Sequence, residues 1–279
     1  MKNDNADTVR RAIVRAQAAV KAGSWDHTLA EYASAVVLAG REPADAAAAA
    51  DAWLGSAATR MSLARWEEAL ADATESRRVA FAMRDERRLA LAENLLGAIA
   101  FESGDWHEAA LRYGVAREHA GMIGDEMLLA EIENNDGVLW AAIGDRQRAE
   151  ESFRWALTRF DELERLPCGA HVLNNLGQVL AADGRYEEAD LLYERALTEC
   201  KRRSDLDLGT AVMVNRARLA LLQNDIIRAH ALAATAEAFC KRTGGGALSA
   251  EVACVLAAVA ARFEARAATV EEDPQTAIA

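Results

Sequence analysis

Asparagine recurs in this chain at a spacing that side-chain chemistry could use. Asn135, Asn175 and Asn215 stand 40 residues apart, and Asn94, Asn134 and Asn174 form a second series with the same interval. Each amide offers two donors and an acceptor, which suits the backbone of a bound peptide. Asparagine is a mediocre helix former, so its repetition inside helical patterns asks for a reason. Two are open: contact with a peptide, or a hydrogen bond to the adjacent repeat that sets the stacking. The first suits the Asn135 series better and the second the Asn94 series.

Other residues point away from catalysis. The histidines are His27, His107, His119, His171 and His230. His27 and His107 fall just after turns and are expected to face solvent. Carboxylate pairs such as Glu67–Glu68 and Glu187–Glu188 recur with the repeat and sit in first helical turns. A negative charge suits the helix dipole there, so they belong to the scaffold. The cysteines are Cys168, Cys200, Cys240 and Cys254, with no CxxC pair and no His-x-x-His partner. That spacing makes a zinc site improbable, and small buried hydrophobes are expected. No nucleophile elbow, phosphate-binding loop or His-Glu-x-x-His motif is present. The expectation is a protein that is not an enzyme and carries no cofactor and no metal.

The elements that must position the asparagines follow from a period. Ala69, Ala109, Ala149, Ala189 and Ala229 stand 40 residues apart, and Ala57, Gly97, Gly137, Gly177 and Ala217 each precede one of them by 12. An earlier copy has Thr28 in the place of the alanine, one residue out of step. A fixed period of this size marks a solenoid of helix pairs. Within each copy, Gly23, Gly104, Gly144, Gly184 or Asn224 can take φ > 0 and close the first helix. Ser24, Asp105, Asp145 and Asp225 can cap the second. Trp25, Trp66, Trp106 and Tyr186 can pack back over the turn. The second copy has Ala64–Arg65 at this point, so a tighter or less regular turn is expected. Gly177 and Ala189 are expected where two helix backbones approach most closely. Tyr193/Ala196, Tyr113/Ala116, Phe153/Ala156 and Tyr32/Ala35 continue that face.

Small-large-small spacing within helix pairs resembles the tetratricopeptide repeat, most closely in "LNNLGQVLAADGRYEEADLLYERAL", Leu173 to Leu197. The 40-residue period is similar to the longer repeats of kinesin light chains and many bacterial regulators. The resemblance implies an all-α, right-handed α-solenoid of about six helix-turn-helix pairs, near residues 7–40, 44–84, 86–121, 125–163, 168–203 and 205–242. A capping helix over 247–268 completes a single domain, 1–268, and 269–279 is expected to be a disordered tail. The resemblance also implies a concave face lined by the first helices, holding a protein or peptide partner. Its expected binding residues are Asn135, Asn175 and Asn215, with Asn94, Asn134, Asn174, Gln178 and Arg218 beside them. The carboxylate clamp of chaperone-binding members is not expected, because the matching stretches carry Ile13, Leu54, Asn94 and Leu95 and no lysine.

Charge narrows the partner. The formal net charge of -12 speaks against direct nucleic-acid or anionic-membrane binding, which needs a basic surface. Glu93, Glu102, Glu131, Glu133 and Asp136 on the middle first helices would favour a basic ligand segment, and Arg216 and Arg218 an acidic one. From Leu248 to Phe263 the capping helix reads as apolar almost all round, which suggests a homodimer through it. No signal peptide is apparent, and the arginine and alanine richness with little lysine suits a GC-rich bacterial gene; a cytoplasmic location is expected. Two functions outside the adaptor class stay open. One is a sensor that binds a signalling peptide or a transcription regulator in trans, since only about six residues precede the first helical pattern. The other is a structural subunit of a larger assembly. Gly184→Val is expected to lower thermal stability, because a β-branched residue resists φ > 0; an unchanged melting temperature would refute the turn assignment.

Overall fold

The computed structural model describes residues 2–40, 45–164, 169–243 and 248–272. Cys168, the Gly244–Gly246 run and positions 273–279 of the expected tail lie outside them. The described residues form thirteen helices. The first helices of successive pairs are α1 (Lys2–Lys21), α3 (Ala46–Ser62), α5 (Glu86–Glu102), α7 (Glu126–Ile143), α9 (Ala170–Ala182) and α11 (Leu206–Leu222). The second helices are α2 (Trp25–Ala39), α4 (Trp66–Met83), α6 (Trp106–Ile123), α8 (Arg146–Glu162), α10 (Tyr186–Arg203) and α12 (Ile226–Thr243). The last helix is α13 (Leu248–Glu272). From α4 onward the second helices start 40 residues apart, the interval of the alanines. Two compact units result, Met1–Ile143 and Gly144–Ala279. Inside each unit consecutive helices pack together, and each first helix also touches the next first helix, as α3 does α5 and α9 does α11.

Most helix breaks are compressed into two or three residues. Gly184 has φ +76°; its N–H donates to the Ala181 carbonyl at 3.2 Å, and the Arg185 N–H donates to the Leu180 carbonyl at 2.9 Å. This is the double closure that satisfies the last carbonyls of a helix. Breaks between pairs use the same device. Arg84, Gly124, Glu164 and Ser204 also have positive φ, so a left-handed residue falls every 20 positions from 64 to 224. An aspartate follows most of them. Asp85, Asp105, Asp125, Asp145, Asp205 and Asp225 each accept a hydrogen bond from the backbone N–H three residues on, at 3.0–3.1 Å. One residue thus ends one helix and caps the next.

Two local expectations need correction. The second-copy turn is as regular as the others: Ala64 takes φ +55°, and the Ala64 and Arg65 N–H groups make the same two bonds, to Met61 and Arg60. Backbone closure dictates the geometry there, and the alanine bears the steric cost. Ser24 makes no side-chain cap bond; its N–H donates to the Ala19 carbonyl at 3.0 Å, and its carbonyl accepts from the Thr28 N–H at 2.9 Å and from Thr28 Oγ1 at 3.0 Å.

The core is an aromatic ring laid over a missing side chain. A Cβ placed on Gly97 would lie 2.6 Å from Tyr113 Cε1, and one on Gly177 would lie 2.6 Å from Tyr193 Cε1. So a tyrosine ring of the second helix, rather than its backbone, makes the closest approach to Gly177. Ala57, Ala69, Ala109, Ala149, Ala189, Ala217 and Ala229 are fully buried, as is Thr28. Tyr32, Tyr113, Phe153 and Tyr193 are buried with Ala35, Ala116, Ala156 and Ala196. Trp25 and Trp106 stay exposed, so they shield their turns only in part.

The capping helix has one apolar stripe. Val252, Val255 and Val259 are buried against α12 and α11, and Leu256 packs beside them. Ala253, Cys254, Ala257 and Ala258 face solvent. The opposite face is therefore small rather than strongly apolar, unlike the reading of the sequence. Ala64→Gly is expected to stabilise the protein. Relief of left-handed strain gives about 1–2 kcal/mol, and the freer unfolded chain takes back about 0.4–1 kcal/mol. The net rise of roughly 0.5–1 kcal/mol is measurable by urea unfolding, and a loss of stability would contradict the strained turn.

Candidate functional site

Burial of one face of each first helix leaves a row of half-exposed residues on the other. On α5 the row is Leu91, Asn94, Leu95 and Ala98; on α7 it is Glu131, Asn135 and Val138. These positions recur at three and four residues, so each set lies along one helix face. In the second unit the row is His171, Asn175 and Gln178 on α9, and Asn215 and Arg218 on α11. Gln178 and Arg218 are the most open of these.

The two asparagine series meet. Asn135 Nδ2 donates to Asn94 Oδ1 at 3.0 Å, and Asn215 Nδ2 donates to Asn174 Oδ1 at 2.9 Å. Each bond joins one first helix to the next within its own unit. Asn134 and Asn174 are buried, whereas Asn94, Asn135, Asn175 and Asn215 are half-exposed. Asn134 donates to Asn135 Oδ1 at 3.3 Å, and Arg218 donates to Asn215 Oδ1 at 3.2 Å. The Asn94 amide nitrogen is an uncommitted donor among the described residues.

Most of the acidic residues expected to meet a ligand are instead tied to arginines. Glu93 is buried and pairs with Arg112 at 2.8 Å and Arg77 at 3.4 Å. Glu133 and Asp136 share Arg117, the latter at 2.6 Å. Arg77–Glu93 and Arg117–Glu133 are one interaction repeated after 40 residues, from a second helix to the first helix of the next pair. Arg216 likewise bridges Asp190 at 2.6 Å and Glu194, and Arg228 reaches Asp190 at 2.6 Å. Burial alone would raise the Asp190 carboxyl, but hydrogen bonds from Arg216 and Arg228 hold it below the usual range. Glu102 stays exposed at the end of α5.

His27 and His107 are exposed, as are Glu67, Glu68, Glu187 and Glu188. Cys200 and Cys240 are buried and Cys254 is exposed. Burial pushes the Cys200 thiol up to about 11. Among the described residues no group of three or more His, Cys, Asp or Glu is placed to hold a metal ion, and no described helix is long and apolar enough to cross a membrane.

No protein-family model matches the sequence, and no curated protein matches it either. Solved structures do match the fold. BtubC (BKLC) from P. vanneervenii is 22% identical, with 79% of this chain and 92% of that chain covered and a TM-score of 0.66. A Rap protein complexed with competence and sporulation factor is 14% identical, with 90% and 75% covered and a TM-score of 0.67. A Rap conjugation gene regulator in complex with the Phr peptide is 15% identical, with 93% and 74% covered and a TM-score of 0.67. The fold is of the tetratricopeptide-repeat type. In this fold the buried small residues lie under aromatic rings, as at Gly97 and Gly177, and Asn94, Asn135, Asn175 and Asn215 stand on the faces those contacts leave half-exposed.

The ion pairs were legible only as a second 40-residue series, Arg77/Arg117 against Glu93/Glu133. Glu93→Gln is expected to destabilise the fold by about 1–3 kcal/mol, since two arginines lose a buried partner. Glu102→Gln, at an exposed site, should stay within about 0.5 kcal/mol of wild type. Equal urea midpoints for the two variants would remove the structural role of Glu93.

Proposed function

We propose that the chain is a non-catalytic protein- or peptide-binding adaptor that uses the exposed faces of its first helices. The observation that carries this reading is the coupled asparagine pairs, Asn94–Asn135 and Asn174–Asn215. Each pair is fixed by its own hydrogen bond, yet most of these amides remain half-exposed. An amide held in place loses little freedom when it binds a peptide backbone, and pre-organisation of this kind favours affinity. Alternating donors and acceptors along an extended peptide need partners of both kinds, which an amide supplies and a charged side chain does not. Gln178 and Arg218 extend the polar row on α9 and α11.

The neighbouring Rap structures were determined with a competence and sporulation factor and with a Phr peptide. Those ligands belong to those proteins, and a fold does not fix a function; they support the choice of an extended peptide as the ligand class. On this reading Glu93, Glu133 and Asp136 are excluded from a broad charge-complementary surface, because arginines of this chain already pair with them.

The test is a triple variant, Asn135→Ala with Asn175→Ala and Asn215→Ala, compared with wild type as immobilised bait in affinity capture. Circular dichroism must show equal helical content. A ligand retained by wild type and reduced at least tenfold on the variant is the expected result. Equal retention by both would move binding away from the first helices, and loss of helical content would make the asparagines stacking residues.

A further inference from the structure

Glu131 is the exception among the carboxylates that the first helices α3, α5 and α7 hold away from full exposure in the first unit, Glu102 being exposed. Glu131 is half-buried on α7, yet it has no hydrogen bond or ion pair with any described residue. Asp51, Glu93, Glu133 and Asp136 each pair with an arginine, and Glu86 lies 2.6 Å from His119 Nδ1. The nearest cation, Arg87 on α5, is engaged by Asp125 at 3.1 Å. Desolvation, followed by the like charge of Asp125, keeps the Glu131 carboxyl above its usual range against the pull of Arg87. A carboxylate partly desolvated without a bonded partner costs stability, and the fold retains one here on the face that carries the asparagine pair.

The placement is specific. Glu131 lies one helical turn before Asn135, so both stand on one face, and Asn135 is bonded to Asn94. One turn is about 5.4 Å, close to two residues of extended chain at about 3.3 Å each. Side chains two residues apart point the same way along an extended peptide. We propose that Glu131 is the receptor for a cationic side chain, arginine or lysine, of an extended peptide whose backbone is held by Asn94 and Asn135. The inference rests on the adaptor reading above and assigns it a ligand class. The same 40-residue position holds Leu91 on α5 and His171 on α9, so the preference belongs to one place and not to the repeat.

The probes are three pools of acetylated, amidated nonapeptides, degenerate except for a fixed central arginine, norleucine or glutamate. Each is passed over the immobilised full chain and quantified by mass spectrometry. Wild type should retain the arginine pool about tenfold over the norleucine pool, as expected for a partner worth about 1.4 kcal/mol. Glu131→Gln should bring that ratio close to one with norleucine-pool retention unchanged, and Glu131→Lys should favour the glutamate pool. The melting temperature of Glu131→Gln should equal or exceed that of wild type, because no internal bond is lost. An unchanged arginine preference in Glu131→Gln overturns the inference. Retention of all pools without charge preference, lost on Asn94→Ala with Asn135→Ala, overturns it and leaves the adaptor reading standing. Retention of no pool overturns both.

Discussion

The structure depends on the length to which each helix is held. A left-handed residue every 20 positions between 64 and 224 stops each helix after about five turns, and the residue after it starts the next. Because the helices from α4 to α12 other than α9 are 17 or 18 residues long, the small residue of each first helix there falls at the same point of its partner. A break displaced by one residue would rotate the following helix by about 100° and move the ring of Tyr113 or Tyr193 off its glycine. Non-glycine residues tolerate the strained conformation at five of these breaks. The backbone bonds that close the helices outweigh the local steric cost.

The second consequence concerns charge. An acidic chain of small helices could present its carboxylates outward as one continuous field. Here arginines from the second helices reach to carboxylates on the first helices of the following pair, and planar guanidinium groups can satisfy two acceptors at once. Arg117 of α6 serves Glu133 and Asp136 of α7 in this way, and in the reverse direction Arg216 of the first helix α11 serves Asp190 and Glu194 of the second helix α10. The polar contacts that lie deepest are therefore internal fasteners. What these fasteners leave on the first-helix faces is a sparse set of amides and, at Glu131, a half-buried carboxylate with no arginine bonded to it.

Much of the architecture is legible in the residues themselves. The 40-residue interval of the alanines predicts the helix starts, and the positive-φ positions Gly23, Gly104, Gly144, Gly184 and Asn224 follow from residue type. Half of the breaks escape this reading, because Arg84, Glu164 and Ser204 have no chemical mark of left-handed backbone. The aspartates at 85, 125 and 205 were the available signal. Ala64 escapes for the same reason, since it looks like a helical residue and behaves as a turn residue.

Local chemistry and periodicity by themselves determined the 40-residue interval of the helix pairs and the burial of the small residues in register with it, though not that the Tyr193 ring rather than a backbone lies over Gly177. These depend on side-chain size and backbone conformation, which are properties of a residue and its near neighbours. Tertiary structure alone decided the status of the polar residues. Glu93, Glu131 and Glu133 are the same residue type on neighbouring helices, and only the reach of Arg77, Arg112 and Arg117 separates the paired from the unpaired. The two asparagine series likewise read as separate ladders until adjacent helices bring position 94 beside 135 and 174 beside 215. A hydrogen bond or ion pair requires two groups within about 3 Å, and that distance is set by packing between helices rather than by the order of residues along either one.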